Sequence, residues 1–348
     1  MFATRRRLGL LYSLSMHLRL GPRVVVICVV CVACRPSFSA DPGTAPRTTV
    51  TPDETGHTGD TAVVTDTEYG VFDCATIERE ITEVVPVQGA HGFNGLAIGD
   101  DGMLVGSDGW SLWKVDRDGE GGVFTPNVGT VYQMVYLPDG DLVVASGSQG
   151  ALLRVAPNGA HEPLVDLPNV YGLTLGPDGM IYACKPDGVY RVDPDTGESQ
   201  RWVRADGFTA RVIDFDRDLG RAFIGSIDGQ GRVYVVELDE DFNPVTEPQI
   251  MVAGVGGWHD GLVVDACGNI YVADYNRNNL SRITRDLEVH VAYDYNYSEY
   301  GHGILWGTGQ DGWDELSFYV PQPYNGNKVL QLRVGVPSRT WPGTVIND

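Results

Sequence analysis

The chain has few basic residues for its length. Its 348 residues include 25 lysines and arginines against 46 aspartates and glutamates, which gives a formal net charge of −21. A surface this acidic repels phosphate backbones, so the composition argues against a nucleic-acid-binding role. The charge is typical of a solvated secreted surface and identifies no partner.

The chain also lacks a long apolar run near its N-terminus. The run from Val24 to Ala33 is too short to span a bilayer and follows arginines, as in the core of a signal peptide. We therefore predict a signal peptide over residues 1–33 and an exported protein. A start at Met16 would give a signal of ordinary length, and the segment from Thr4 to Gly9 loosely resembles a twin-arginine signal.

The predicted signal peptide ends in a motif that resembles a bacterial lipobox. Cys34 follows Val32 and Ala33, although Cys31 stands where a leucine is usual. Cleavage before Cys34 would leave its thiol for lipidation, so we expect a membrane-anchored lipoprotein on the periplasmic or cell-surface side. Residues 34–70 are rich in Thr, Asp, Pro and Gly without an apolar period, which predicts a flexible linker.

Cysteines are also few. Of six, Cys28 and Cys31 would leave with the signal peptide and Cys34 would be acylated. An odd number then permits one disulfide and one free thiol, and the pairing stays open. The three cysteines that remain are Cys74, Cys184 and Cys267. The spacing between these three fits no zinc site.

Glycine and proline are abundant, with 44 and 20 residues, which favours many turns over long helices. Six similar units follow the linker and start about 40 residues apart, the length of one propeller blade. Each unit reads as a hairpin, then a third strand and a variable outer strand. The units begin at Asn94, Tyr132, Tyr171, Arg211, Asp260 and His302.

The repeats predict an all-β, six-bladed β-propeller over residues 71–348. The segment from Ile81 precedes the first unit and the segment from Lys328 ends the last, so the N-terminal strand is expected to complete the sixth blade. Such closure leaves few sheet edges exposed. WD40 and kelch propellers are weaker interpretations, because their recurring Gly-His, Trp-Asp and Gly-Gly signatures are missing.

The residues that open the six units predict a site. The first strand of each blade lines the central channel of a propeller, so these six side chains are expected to meet at one mouth. They supply an acid, an imidazole, a guanidinium, an amide and two phenols. A buried Asp260 carboxylate there would need a cation or Arg211 as its partner.

The units that contain Asp260 and His302, DGLVVDACGNIYVAD and HGILWGTGQDGWDELSFYV, resemble the senescence-marker-protein/gluconolactonase family of six-bladed propellers. The resemblance covers about Gly89 to Pro337. It implies a divalent cation, calcium or zinc, at the mouth and hydrolysis of a lactone or related ester. It also implies that Asp260 is both metal ligand and catalytic base.

The other two ligand positions of the family match this sequence less well than Asp260 does. Asn94 stands where the family has a glutamate ligand, and an amide oxygen can bind calcium. Arg211 stands where a metal-binding asparagine is expected, and a cation does not ligate a cation. Asp214 is the local candidate for a compensating oxygen ligand.

Two functions therefore stay open. In the first, Asp260 and Asn94 hold a cation that polarises a lactone carbonyl, Asp260 activates water, and Tyr171 or His302 assists proton transfer. In the second, Arg211 pairs with Asp260. The site then either uses His302 as base or binds an acidic or sugar-like ligand without chemistry, as a ligand-binding or scaffold propeller that has lost the metal site. The residues expected to contact the small-molecule substrate or ligand are Tyr132, Tyr171 and Arg211.

Other motifs in the sequence favour no competing function. No Gly-x-Ser-x-Gly elbow occurs, which argues against an ordinary serine esterase. The DPDTG segment from Asp193 lacks the spacing and terminal glutamate of an EF-hand loop and is read as a turn. Strand alternation points His259 away from the channel. Trp258 lies beside the mouth, where it could stack on a sugar face.

Overall fold

The computed structural model describes residues 74–216, 220–295 and 300–339. The predicted signal peptide, Cys34 and the linker lie outside these ranges. Within them the chain forms six four-stranded antiparallel sheets and one 3-10 turn, Cys74–Thr76. This is the all-β six-bladed propeller that the repeats predict. None of the described residues belongs to a helix that is long and apolar enough to cross a membrane.

The strands follow one another with short connections. In chain order they are β1 (Val84–Val87), β2 (Ala97–Ile98), β3 (Leu104–Ser107), β4 (Leu112–Val115), β5 (Gly121–Thr125), β6 (Val131–Tyr136), β7 (Leu142–Ser146), β8 (Ala151–Val155), β9 (His161–Asp166), β10 (Leu173–Leu175), β11 (Ile181–Lys185), β12 (Gly188–Val192), β13 (Ser199–Arg204), β14 (Ala210–Asp216), β15 (Arg221–Ser226), β16 (Val233–Glu237), β17 (Gln249–Val252), β18 (His259–Val264), β19 (Ile270–Asp274), β20 (Asn279–Ile283), β21 (Val289–Asp294), β22 (Leu305–Trp306), β23 (Ser317–Gln322) and β24 (Lys328–Arg333).

The two ends of the described chain meet in the sixth blade. Its strand order is β22-β23-β24-β1, so the N-terminal strand forms its outer edge. Strand β1 pairs antiparallel with β24, with Val84 opposite Leu332 and Val87 opposite Val329. The predicted closure is confirmed, and every blade has the fourth strand that the sequence left variable.

Glycines let the inner strands approach one another at the mouth. A Cβ on Gly95 would lie 2.5 Å from the Tyr132 carbonyl oxygen, and one on Gly172 would lie 2.4 Å from the Arg211 carbonyl oxygen. No side chain fits at such distances. These glycines directly follow Asn94 and Tyr171, so the close packing of inner strands brings the predicted site residues together.

A disulfide ties the N-terminal segment to the fifth blade. Cys74, ahead of β1, is bonded to Cys267 in the turn between β18 and β19. Cys184 is a buried free thiol in the core, and burial raises its pKa well above the ordinary value. The described cysteines therefore comprise one disulfide and one thiol, as their odd number allows.

Removal of this disulfide is expected to destabilise the propeller. It closes a loop of 193 residues, and loss of a native disulfide typically costs about 2–5 kcal/mol of unfolding free energy. Guanidinium denaturation of a Cys74→Ser/Cys267→Ser variant should show a loss of unfolding free energy of this size. The control is Cys184→Ala, which keeps the disulfide, so added reductant should lower its stability as much as it lowers that of the wild type. Equal midpoints for the double variant and the wild type would contradict the prediction.

Candidate functional site

The six residues predicted at the mouth form one connected cluster. Three of them are the second residues of inner strands, and the other three lie two or three residues before an inner strand begins. The rings of Tyr132 and Tyr171 lie 5.0 Å apart. The members of this mouth cluster are Asn94, Tyr132, Tyr171, Arg211, Asp260 and His302.

A buried ion pair lies at the centre of the cluster. The Asp260 side chain is 1% exposed, and its Oδ1 accepts a hydrogen bond of 2.8 Å from Arg211 Nε. Burial raises the pKa of Asp260 to about 6, while the Arg211 charge opposes that rise. The guanidinium also lies over Tyr171, with Cζ 2.9 Å from the ring centroid, a cation–π arrangement.

His302 contacts both Asn94 and the ion pair. Its Nδ1 lies 2.6 Å from Asn94 Oδ1, which also accepts a 3.1 Å hydrogen bond from the Tyr171 hydroxyl. The same Nδ1 lies 3.4 Å from Asp260 Oδ2. Because both neighbouring oxygens are acceptors, Nδ1 carries the proton and Nε2 has a free lone pair.

The second ring nitrogen of His302 has no partner. Nε2 is buried and forms no hydrogen bond within the part of the chain that the structure describes. Burial lowers the pKa of His302 to about 3, and the Arg211 charge adds to this effect. The imidazole is therefore neutral at physiological pH and presents an unused acceptor.

Four aromatic side chains, which we call the aromatic rim, surround His302 and Arg211. Trp258 is 39% exposed and lies 5.5 Å from Tyr275, and Tyr324 is 60% exposed. The His302 ring lies 5.2 Å from Tyr275 and 5.6 Å from Tyr324. Tyr300 completes the rim by contacting both tyrosines. The rim gives the mouth an exposed stacking surface.

Of the rim residues, the sequence predicts only Trp258 at the mouth. Tyr275 and Tyr324 lie between the second and third strands of their blades, and Tyr300 precedes His302. Those connections return to the end of the sheet where the inner strand begins. The position of these tyrosines in the repeat places them at the mouth, and this position is the sequence feature that could have predicted them.

The loop that carries Trp258 is held by a buried carboxylate. Asp274 Oδ2 accepts hydrogen bonds of 2.6 Å from Gly257 N and 2.8 Å from Trp258 N. His259, the next residue, is fully buried and bonded at both ring nitrogens to backbone groups. It is a packed residue, as strand alternation predicts.

The donor set does not fit a divalent cation. Asp260 Oδ1 is bonded to Arg211, whose positive charge lies where a cation would have to bind. Asn94 Oδ1 already has two hydrogen-bonding neighbours. Across the described ranges, no group of three or more His, Cys, Asp and Glu side chains could hold a metal ion. The metal roles of Asp260 and Asn94 thus find no support in the arrangement.

Asp214 does not compensate for Arg211 at the mouth. Its Oδ2 accepts a 2.9 Å hydrogen bond from Val264 N, and it lines a cavity of about 340 Å³ within the channel. This channel cavity is lined by residues that follow the mouth cluster along the inner strands. None of the mouth-cluster side chains is among its described lining residues.

Comparisons with known proteins identify the fold. No protein-family model matches the chain, and no curated protein does. A gluconolactonase from Xanthomonas campestris has a TM-score of 0.61 at 15% identity, covering 74% of this chain and 94% of its own. The calcium-binding protein regucalcin from Agrobacterium tumefaciens has a TM-score of 0.60 at 15% identity, covering 76% and 97%.

A third similar structure is an auxiliary nutrient binding protein from Bacteroides ovatus. It has a TM-score of 0.56 at 15% identity and covers 70% of this chain and 69% of its own. Structural neighbours thus include gluconolactonase-like proteins, as the sequence resemblance predicts, and binding proteins. At these identities the likeness establishes the fold alone.

Replacing Arg211 is expected to create a metal site. The Arg211→Asn change removes the guanidinium and adds an amide oxygen near Asp260, so we expect saturable calcium binding in the millimolar range, about 10⁻³ M. Calorimetry should detect this binding, and the matched Arg211→Met variant, which adds no oxygen, should lack it. Tight calcium binding by the wild type would contradict our reading of the ion pair.

Proposed function

We propose that the mouth of the propeller binds an uncharged, polyhydroxylated carbonyl compound of the sugar-lactone class without a metal ion. The observation that carries this proposal is a pair of polar groups beside the aromatic rim that can bond to a ligand. Arg211 donates from Nε to Asp260, and its side chain is 19% exposed at the mouth. His302 Nε2 is an unused acceptor.

These groups match the chemistry of such a ligand. A carbonyl oxygen accepts from the terminal Arg211 nitrogens, and a hydroxyl donates to His302 Nε2. The apolar face of a ring stacks on the aromatic rim, where Trp258 and Tyr324 are exposed. A ligand hydroxyl that satisfies the buried His302 Nε2 removes its desolvation cost.

Charge favours an uncharged ligand. The Arg211 and Asp260 charges cancel when both are ionised, and His302 is neutral. The whole chain carries a formal charge of −21, which repels anions. Similar folds include a gluconolactonase and auxiliary nutrient binding proteins, and both descriptions agree with a small-molecule site.

We also propose that the protein is exported and anchored by a lipid on Cys34, on the periplasmic or cell-surface side. The Cys74–Cys267 disulfide supports export, since disulfides persist in oxidising compartments. A linker over residues 34–70 would hold the propeller away from the membrane.

Binding can be tested with D-glucono-1,5-lactam, a stable isostere of the lactone. We expect saturable binding by calorimetry and at least a tenfold weaker affinity in Arg211→Met and Trp258→Ala, because each loses a direct contact, about 1.4 kcal/mol or more. Val245→Ala is the control, since Val245 is exposed and lies in the connection between β16 and β17, the third and fourth strands of its blade, away from the mouth. Unchanged affinity in both mouth variants would refute the proposed site.

Hydrolysis of the lactone is the second candidate function. The observation that favours it is the protonated Nδ1 of His302 beside Asp260 Oδ2, at 3.4 Å, with Nε2 free. In this reaction a water oxygen bonds to the carbonyl carbon while Nε2 takes a water proton. Arg211 stabilises the oxyanion, the ring C–O bond breaks, and the proton passes to the ring oxygen. Hydrolysis ranks second because a base of such low pKa accepts protons weakly.

The His302→Gln variant distinguishes lactone binding from lactone hydrolysis. If the protein is a hydrolase, His302→Gln should hydrolyse D-glucono-1,5-lactone at least about 100-fold more slowly in a pH-stat assay, and Asp260→Ala should abolish activity with the fold intact. Lactam affinity in His302→Gln should fall much less than the rate. A wild type that binds the lactam but does not accelerate hydrolysis would leave binding alone as the function.

A further inference from the structure

The channel cavity described above has the features of a second ligand site. Its volume of about 340 Å³ lies in the range of small-molecule pockets. Most of its walls are apolar, with Leu96, Leu173 and Leu262 from different blades. Two of the side chains that line it, Asp214 and Trp306, carry polar groups that are not fully satisfied.

The first of these groups is the Asp214 carboxylate. Its oxygens accept hydrogen bonds of 2.9 Å from Phe215 N and from Val264 N. Within the described residues no lysine, arginine or histidine forms an ion pair with it. Each carboxylate oxygen retains acceptor capacity, and a buried charge without a counter-charge is costly. Among the described residues, the carboxylate therefore lacks a cation.

The charged groups around Asp214 do not supply that cation. Asp216, two residues further along β14, is paired with Arg221 and Arg339. Asp265, in the turn after β18, is bonded to Asn269 and is an acid itself. Desolvation raises the pKa of Asp214 to about 7, and Asp216 adds to this rise. The cationic groups nearby are thus committed to another carboxylate.

The second group is the indole N–H of Trp306. Its Nε1 is buried and has no hydrogen-bond partner within the described ranges. The ring is fixed by Phe318, with centroids 4.4 Å apart. The nitrogen is a donor only, so it requires an acceptor oxygen, and the described residues provide none.

We propose that the channel cavity binds a compact organic ammonium ion that also carries a hydroxyl or carbonyl oxygen. The ammonium pairs with Asp214, the oxygen accepts from Trp306 Nε1, and the carbon skeleton contacts the apolar walls. A single carboxylate among leucines supplies too few oxygens for calcium or magnesium. This site is separate from the mouth and does not depend on the function proposed there.

The binding has a defined pH dependence. The ammonium pairs with the ionised form of Asp214, so affinity rises as pH increases through a pKa of about 7. Between pH 6 and pH 8 the ionised fraction, and with it the affinity, rises about tenfold. A neutral ligand of the same shape should show no such change.

Calorimetric titration of the whole propeller with tyramine and with tyrosol tests the proposal. Tyrosol carries a hydroxyl in place of the ammonium and is otherwise the same molecule. We expect tyramine to bind at least tenfold more tightly at pH 8, to lose this advantage in Asp214→Asn, and to bind more weakly in Trp306→Phe. Lactam binding at the mouth reports that these variants are folded; circular dichroism does so independently.

Two controls locate the binding. Tyramine affinity should be unchanged in Asp260→Asn, because Asp260 lies at the mouth. Equal affinities for tyramine and tyrosol in the wild type would overturn the proposal, as would full tyramine binding by Asp214→Asn. Loss of tyramine binding in Asp260→Asn with retention in Asp214→Asn would assign the amine to the mouth and also overturn it.

Discussion

The chemistry of this propeller depends on the buried pair between Arg211 and Asp260. Removing an aspartate from water is unfavourable unless a positive charge compensates it, and here the chain supplies that charge from the neighbouring blade. The same guanidinium covers Tyr171, and burial together with the Arg211 charge keeps His302 neutral. The pair of Arg211 and Asp260 is therefore the electrostatic centre of the mouth.

The position of each polar group follows from the spacing between blades. Inner strands approach so closely that only glycine fits after Asn94 and Tyr171. Residues at equivalent repeat positions are thereby brought within contact distance across the channel. Further along the same strands the spacing leaves room for a cavity, where Asp214 and Trp306 lie on separate blades. The same strands thus form a polar mouth and, further along, a cavity with mostly apolar walls.

The fold was largely predictable from sequence because six units repeat turns and apolar runs at a regular interval. Equivalent positions in the repeat also predicted which residues meet at the mouth. The Arg211–Asp260 pair appeared as one of two alternatives, since the sequence does not show whether the guanidinium reaches the carboxylate. Tyr275 and Tyr324 were missed because they belong to connections, whose side chains have no fixed direction in a strand pattern. The pairing of Cys74 with Cys267 depends on how the N-terminal segment reaches the fifth blade, which the repeats do not specify.

The disulfide ahead of β1 also determines how the molecule responds to mechanical load. A pull on the chain from the N-terminal side of Cys74 passes through the covalent bond to Cys267 in the fifth blade. Strand β1 lies beyond that point in the chain, so the load bypasses the hydrogen bonds that hold it to β24. Under a load applied from that side, the propeller would resist being peeled open from its closing strand for as long as the disulfide is oxidised.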